Sequence, residues 1–283
     1  MPKRLAVLGH PVAHSRSPAM HNAALAELGL GGEWSYEAID VGPEEFDARV
    51  RAMPVDGFVG ANVTVPHKPA ALRVADRASE AAREIGAANT LTFTGEGITA
   101  ENTDAEGFLA ALGEPPEGKR ALVLGAGGAA RAVVWALVGG GAEVAIWNRT
   151  PERADRLAGE LGARGIDSQA PPIDPGLDLL VNATTVGMGT GESSREGSDL
   201  KALQLGADSL AEINQLVDLA YGPAETELVR AARSRGIVVV DGLEVLVRQG
   251  AASLRIWTGQ DPSLEAMRRA ARSTWQRTSA PDI

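Results

Sequence analysis

Cysteine is absent from this chain of 283 residues. That removes disulfides, thiolate-ligated zinc, iron–sulfur clusters and any thiol nucleophile at once. Long apolar runs are absent too. The longest stretch without a formal charge is 179–191, 13 residues rich in Thr, Asn and Gly, against the ~20 apolar residues of a spanning helix. The apolar start after Lys3 and Arg4 stops at Gly9-His10-Pro11, too short for an export signal. An excess of positive charge is also missing. The 27 Lys+Arg face 37 Asp+Glu, a net charge of −10, which argues against nucleic-acid backbones and anionic membranes as main partners. No G-x-S-x-G nucleophile elbow occurs. His10 and His14 stand four apart, but Pro11 intervenes and no third ligand follows, so no metal site is expected. The expectation is a cytoplasmic protein acting on a small molecule, with neither nucleic acid nor membrane as partner.

What is present is ordinary globular material, 44% hydrophobic and 23% charged, with length for two domains at ~150 residues each. Short apolar runs alternate with helical patterns throughout, the sign of an α/β protein with mostly parallel sheets. The pattern predicts strands over 4–9, 34–39, 57–63 and 89–93, with helices over 18–29, 43–53, 67–75, 79–86 and 104–112. Beyond a loop with Pro115, Pro116 and Gly118, strands are predicted near 120–124, 142–147, 177–182, 214–219 and 237–240. Helices near 128–138, 151–161 and 224–234 separate them, and two more, near 243–257 and 263–274, close the chain. The polar stretch 189–201 reads as a mobile surface loop and 276–283 as a frayed tail.

Residues 120–130 read R-A-L-V-L-G-A-G-G-A-A. Gly125-x-Gly127-x-x-Ala130 follows an apolar strand and opens a helix, the context that makes a glycine-rich turn informative. Gly125 allows a tight turn and Gly127 a close approach of backbone to a pyrophosphate, while a helix N-terminus offers N–H groups to phosphate. A plain glycine-rich turn is the alternative. The next strand ends in Asn148-Arg149-Thr150, with Arg153 one turn on. A dinucleotide site for NAD places Asp or Glu there, ~20 residues beyond the turn, for the ribose 2′-hydroxyl. Two guanidinium groups with no carboxylate at the strand tip suit a 2′-phosphate instead. A solvated helix start beside Glu152 is the competing reading. The residues favour NADP over NAD.

At the other end, residues 10–21 read H-P-V-A-H-S-R-S-P-A-M-H. Ser17-Pro18 looks like a helix cap with proline at the first helical position. Ser15 and Ser17 beside a helix N-terminus also suit a small carboxylate. Strand 57–63 delivers Asn62 and Thr64 at its carboxyl end, where open α/β sheets place ligands. Lys68 falls in the first turn of the helix that follows, a position suited to proton exchange. Only four of the 27 basic residues are lysine (Lys3, Lys68, Lys119, Lys201). In so arginine-rich a chain, lysine at a motif position hints at a task guanidinium does not perform. Gly86-Ala87-Ala88-Asn89-Thr90 and Glu101-Asn102-Thr103-Asp104 add two more polar clusters, in which Asp104 either caps its helix or serves the site.

These segments together resemble the shikimate dehydrogenase family along essentially the whole chain: V-A-H-S-R-S-P (12–18), N-V-T-V-P-H-K (62–68), G-A-A-N-T (86–90), N-T-D (102–104), G-A-G-G-A-A (125–130), N-R-T (148–150), N-A-T-T-V-G-M (182–188) and D-G-L-E-V-L-V-R-Q (241–249). The chain departs from the family pattern in its longer, more polar 189–201 and in Val245, where D-G-L-x-M has Met. The resemblance implies an N-terminal α/β substrate domain, 1–104 with 244–283, plus a Rossmann-type doubly wound NADP-binding domain, 105–243, with the active site between them. It implies reversible NADP-dependent reduction of 3-dehydroshikimate to shikimate, within aromatic amino acid and chorismate biosynthesis, by a monomer or homodimer. Lys68 and Asp104 match the catalytic pair. Ser15 and Ser17 match the residues that hold the substrate carboxylate, and Thr64, Asn89, Asp104 and Gln249 those that bind its hydroxyls, with Tyr221 nearby. The cofactor matches are Gly125, Ala126, Gly127, Gly128, Ala129, Asn148, Arg149, Thr150, Arg153 and Gly242, with Glu80 and Leu219. A broader quinate/shikimate dehydrogenase and a non-catalytic NADP or substrate sensor are the alternatives.

Overall fold

A computed structural model describes residues 2–188, 198–206 and 208–277. The chain forms two compact units, Met1–Gly107 with Leu246–Ile283 and Phe108–Val245.

The first unit contains β1 (Lys3–Gly9), α1 (Ser17–Glu27), β2 (Trp34–Asp40), α2 (Phe46–Ala52), β3 (Phe58–Val63), α3 (Lys68–Val74), β4 (Arg77–Ala78), α4 (Glu80–Ile85), β5 (Thr90–Thr94), β6 (Gly97–Glu101) and the start of α5 (Asp104–Leu112). Its sheet runs β2-β1-β3-β5-β6-β4. The central strand β1 pairs in parallel with β2 and β3 and is buried from Leu5 to Gly9, which is why it reads as an unbroken apolar run. β5 is antiparallel to both β3 and β6. The sequence pattern does not predict this antiparallel part. It comes from a two-residue hairpin at Gly95-Glu96, closed by Gly97 at φ +114°, a backbone setting that favours glycine. Leu91 of β5 and, packed against the sheet, Phe46 and Met53 are fully buried, each such side chain contributing about 1.5–3 kcal/mol.

The second unit contains β7 (Arg120–Leu124), α6 (Gly128–Gly139), β8 (Glu143–Trp147), α7 (Pro151–Leu161), β9 (Arg164–Ile166), β10 (Leu177–Asn182), α8 (Ser198–Ala202), a 3-10 turn over Asp208–Glu212, β11 (Ile213–Asp218), α9 (Glu227–Arg233) and β12 (Val238–Asp241). The strand order is β12-β11-β10-β7-β8-β9, with every pairing parallel. Counted within the unit this is 6-5-4-1-2-3, the doubly wound order of dinucleotide-binding sheets, whose ligand crevice opens where the order reverses, between β7 and β10. α10 (Gly242–Thr258) and α11 (Leu264–Arg277) complete the chain. From Leu246 onward these helices belong to the first unit. There α11 packs on α1, and Trp257 lies against Gly60 of β3 and donates to the Leu91 carbonyl at 3.1 Å.

Three local readings change. Ser17 is the first residue of α1 rather than its cap; Arg16 holds the cap position without a side-chain bond, and the Ser15 hydroxyl accepts the Ser17 N–H at 3.3 Å. Of the stretch read as a surface loop, 198–201 is helical and 189–197 lies outside the described residues. Of the tail, 276–277 continues α11, and 278–283 again lies outside them.

Candidate functional site

In the first unit the polar side chains converge around Asp104. Lys68 begins α3 directly after the Val63–His67 turn, and Asp104 begins α5 directly after β6 and Asn102-Thr103. Lys68 Nζ donates to Asp104 Oδ2 at 2.7 Å, with side chains 11% and 17% exposed. Asn102, not Asp104, serves the helix start: its Oδ1 accepts the N–H groups of Asp104 and Ala105 at 3.1 and 3.4 Å. Asp104 is thereby left to the site. Asn89 Nδ2 donates to Asp104 Oδ1 at 2.9 Å and to Gln249 Oε1 at 3.0 Å. Four of the residues named from sequence (Lys68, Asp104, Asn89, Gln249) are thus joined by direct hydrogen bonds.

Thr64 and Ser15 lie on the adjoining loops after β3 and β1, and Ser17 opens α1. The Thr64 methyl packs on Gly9, where a side chain would collide with it. The loop after β1 is anchored by Asp40, which accepts from His10 Nδ1 at 2.6 Å and from the Val12 N–H at 3.1 Å. The His10 hydrogen bond holds the Asp40 carboxyl below its ordinary range. His21 lies between the carbonyls of Ser17, 2.8 Å from Nδ1, and Gly250, 3.2 Å from Nε2, with its ring stacked on Tyr36 at 4.1 Å. It ties the backbone of Ser17 to that of the residue following Gln249. Burial takes the His21 imidazole down to about 4.

In the second unit the glycine turn joins β7 to α6. Gly125 has φ +107°, and a Cβ there would lie 3.1 Å from the Ala183 carbonyl oxygen, so the tight turn requires glycine. Gly127 is different. Its φ of −92° suits any residue and no protein atom lies within 4 Å of where its Cβ would be. The fold itself does not need glycine there. Gly128 and Ala129 open α6, whose start has no side-chain cap, and Ala130 is fully buried under it. Asn148, Arg149, Thr150 and Arg153 occupy the β8–α7 turn, with both arginines exposed and Asn148 Nδ2 donating to the Thr150 carbonyl at 2.9 Å. Gly242 lies against the backbone of Leu219 and Ala220 too closely to admit a side chain, which brings two cofactor candidates together. Tyr221 follows on the same loop, in the second unit, apart in sequence from the other substrate candidates. Glu80 is exposed at the first turn of α4, in the first unit rather than with the glycine turn.

The loop with Leu219 and Tyr221 is held from below by Asp218. This buried carboxylate accepts from Asn182 Nδ2 at 2.8 Å, the Ala220 N–H at 3.1 Å and the Thr226 hydroxyl at 2.6 Å. Burial pushes its carboxyl up to about 6. A groove of about 330 Å³ between Arg120, Glu143, Arg164 and Asp174 opens at the opposite ends of these strands and is not the dinucleotide crevice. Among the described residues no group of His, Asp and Glu could hold a metal ion, and no helix is long and apolar enough to cross a membrane.

Sequence patterns do not single out Ser253, Tyr36 or Asp218. Asp218 does carry a signal, a carboxylate at the end of an apolar strand. Ser253 carries none, because its side-chain partners lie 150 to 191 residues away.

A doubly wound sheet with a bare glycine turn, in one chain with a unit holding a buried Lys–Asp pair, defines a dinucleotide-dependent oxidoreductase of the two-domain α/β class. Three segments match family profiles: residues 7–91 the shikimate dehydrogenase substrate binding domain, 111–193 shikimate/quinate 5-dehydrogenase, and 242–272 the shikimate 5′-dehydrogenase C-terminal domain. The chain is 47% identical over 274 residues to a shikimate dehydrogenase (NADP(+)) of Thermus thermophilus, covering 95% of this chain and 97% of that one. To its counterpart in Methanopyrus kandleri it is 44% identical over 278 residues, 93% of each. The crystal structure of shikimate 5-dehydrogenase from a second strain of Thermus thermophilus, in complex with NADP(H) and shikimate, superposes with a TM-score of 0.84 at 45% identity, covering 96% of this chain and 99% of that one. The chain belongs to the shikimate dehydrogenase family.

Proposed function

We propose that this protein is an NADP-dependent dehydrogenase that interconverts 3-dehydroshikimate and shikimate, with Lys68 and Asp104 as its catalytic pair. The observation that carries the reading is the buried 2.7 Å contact between those side chains, on a chain whose relatives act on shikimate with NADP. The residues present fit the cofactor. The open backbone at Gly127 and the uncapped start of α6, with Gly125, Ala126, Gly128 and Ala129, suit a pyrophosphate. Arg149 and Arg153, with Asn148 and Thr150, suit the 2′-phosphate end, and Leu219 and Gly242 the nicotinamide end. NADP, when bound, supplies the hydride donor and acceptor.

The chain's own groups do the rest. Ser15 and Ser17 hold the substrate carboxylate through hydroxyl and helix-start N–H groups. Thr64, Asn89, Asp104 and Gln249 orient the ring hydroxyls. On reduction Lys68 Nζ gives a proton to the oxygen at C3 as the carbonyl becomes an alkoxide, and on oxidation it takes that proton back. Asp104 keeps the amine aimed through Oδ2. Each of its carboxylate oxygens has a protein partner and a further lone pair for a substrate hydroxyl.

The test is the appearance of NADPH from shikimate and NADP⁺ with purified protein, alongside Lys68→Ala. Turnover of the variant is expected to fall by about 10²–10⁴, with shikimate affinity, measured calorimetrically, held within about threefold. Lost affinity with unchanged turnover would overturn the catalytic role.

A further inference from the structure

Ser253 stands on α10 one turn beyond Gln249 and is fully buried. Its hydroxyl meets Asn62 Nδ2 at 2.8 Å, Thr90 Oγ1 at 2.9 Å, Thr103 Oγ1 at 3.0 Å and the Gln249 main-chain carbonyl at 3.0 Å. A hydroxyl has one proton and two lone pairs, so the directions of these bonds are constrained. The carbonyl only accepts, so Ser253 donates to it. Asn62 Nδ2 only donates, so Ser253 accepts from it. The second lone pair takes the proton of one threonine, and the other has Asn89 Oδ1 in reach, 3.1 Å from Thr90 Oγ1 and 3.2 Å from Thr103 Oγ1, with longer alternatives in the neighbouring threonine at 3.3 Å and, for Thr103, Gln249 Oε1 at 3.4 Å.

Asn89 Oδ1 also accepts the Thr103 main-chain N–H at 2.7 Å. With its oxygen so engaged, the amide turns its nitrogen toward Asp104 Oδ1 at 2.9 Å, Gln249 Oε1 at 3.0 Å and Thr103 Oγ1 at 3.0 Å. Without the Ser253 hydroxyl, the threonine that donated to it is left with Asn89 Oδ1 and the longer contacts, and Asn62 Nδ2 keeps the Asn89 carbonyl and Thr90 Oγ1 but loses one acceptor. Thr90 and Ser253 are fully buried and Thr103 is 3% exposed, so this layer acts on a ligand only through Asn89 and Gln249.

We propose that Ser253, together with Thr103, is a positioning residue for the reaction: its hydroxyl sets which way the Asn89 amide faces, and through it the alignment of Asp104 against Lys68. The inference rests on the catalytic reading of Lys68 and Asp104.

The experiment compares wild type, Ser253→Ala, Thr103→Val, the double variant and Asp104→Asn in steady-state oxidation of shikimate, with thermal melts in parallel. Each single variant is expected to lose about tenfold in kcat, or ~1.4 kcal/mol, with KM for NADP⁺ unchanged. The double variant is expected to be no slower than the slower single one, because both remove one network. If Ser253→Ala does not fold, Thr103→Val carries the same expectation. Ordinary kcat in both single variants with lowered Tm would make the network purely structural and overturn the proposal, leaving the catalytic reading intact if Asp104→Asn is slow. Ordinary kcat in Asp104→Asn as well would overturn both.

Discussion

In the first unit the candidate site is crowded with side chains that hold one another, whereas in the second it is almost bare of them. Asn89 alone has hydrogen-bonding contacts with Thr90, Thr103, Asp104 and Gln249, while the start of α6 offers backbone N–H groups beside an open Gly127. On the proposed function, the difference follows from what each has to recognise. A small polyol needs several directional partners fixed in advance, and a pyrophosphate is met well by main-chain dipoles that only glycine leaves accessible. Substitutions that remove atoms should therefore injure the first unit, and substitutions that add atoms the second.

The largest expected contrast is in pH response. The His21 imidazole, about 4 when folded against an ordinary 6.5, favours folding above pH 6.5, and that contribution is lost as pH falls toward 4. The Asp218 carboxyl, about 6 when folded against 3.8, favours folding at low pH, and that contribution is lost as pH rises through 6. Each amounts to about 3 kcal/mol, with opposite signs across pH 4–6. Melts over that range are expected to fall more steeply on acidification in Asp218→Asn than in wild type, and less steeply in His21→Gln. Parallel slopes in all three proteins would show that neither group changes its proton affinity on folding.

Next in size is Arg149→Ala. It should weaken NADP⁺ by about 10- to 150-fold, the worth of a charge-assisted bond, and leave NAD⁺ kinetics alone; equal losses for both would make Arg149 structural. The glycine turn sharpens the comparison further. Gly125→Ala is expected to cost about 1–3 kcal/mol of stability from its strained φ. Gly127→Ala should leave Tm unchanged while raising KM for NADP⁺, and a lower Tm there would show that its openness serves the fold. The smallest expected change is Ser17→Ala. Because Ser17 does not cap α1, its loss is expected to cost well under ~1 kcal/mol of stability yet raise KM for shikimate.

Local patterns make much of this legible in the sequence. The buried run of β1, the glycine turn after β7 and the arginines after β8 each depend on neighbours a few residues away. The hairpin partner β6 escapes a pattern reading although Ile98 and Ala100 alternate with Thr99 and Glu101, because the strand is short and begins at glycine. The cap of α1 falls one residue from where the sequence suggests, since Ser15 and Ser17 offer the same hydroxyl to the same helix start. Ser253 is invisible because nothing local marks one buried serine in a helix; only folding brings it to Asn62 and Thr103. The side-chain site of the first unit is written in long-range contacts, and the backbone site of the second in short ones.

The most direct measurement is nicotinamide reduction by the purified wild-type protein in four mixtures, shikimate or quinate with NADP⁺ or NAD⁺. Fast turnover is expected with shikimate and NADP⁺, and far slower reaction in the other three. Comparable rates with quinate or NAD⁺ would contradict the selectivity assigned to Ser15, Ser17 and Arg149, and silence in all four would contradict the catalytic role of Lys68 and Asp104.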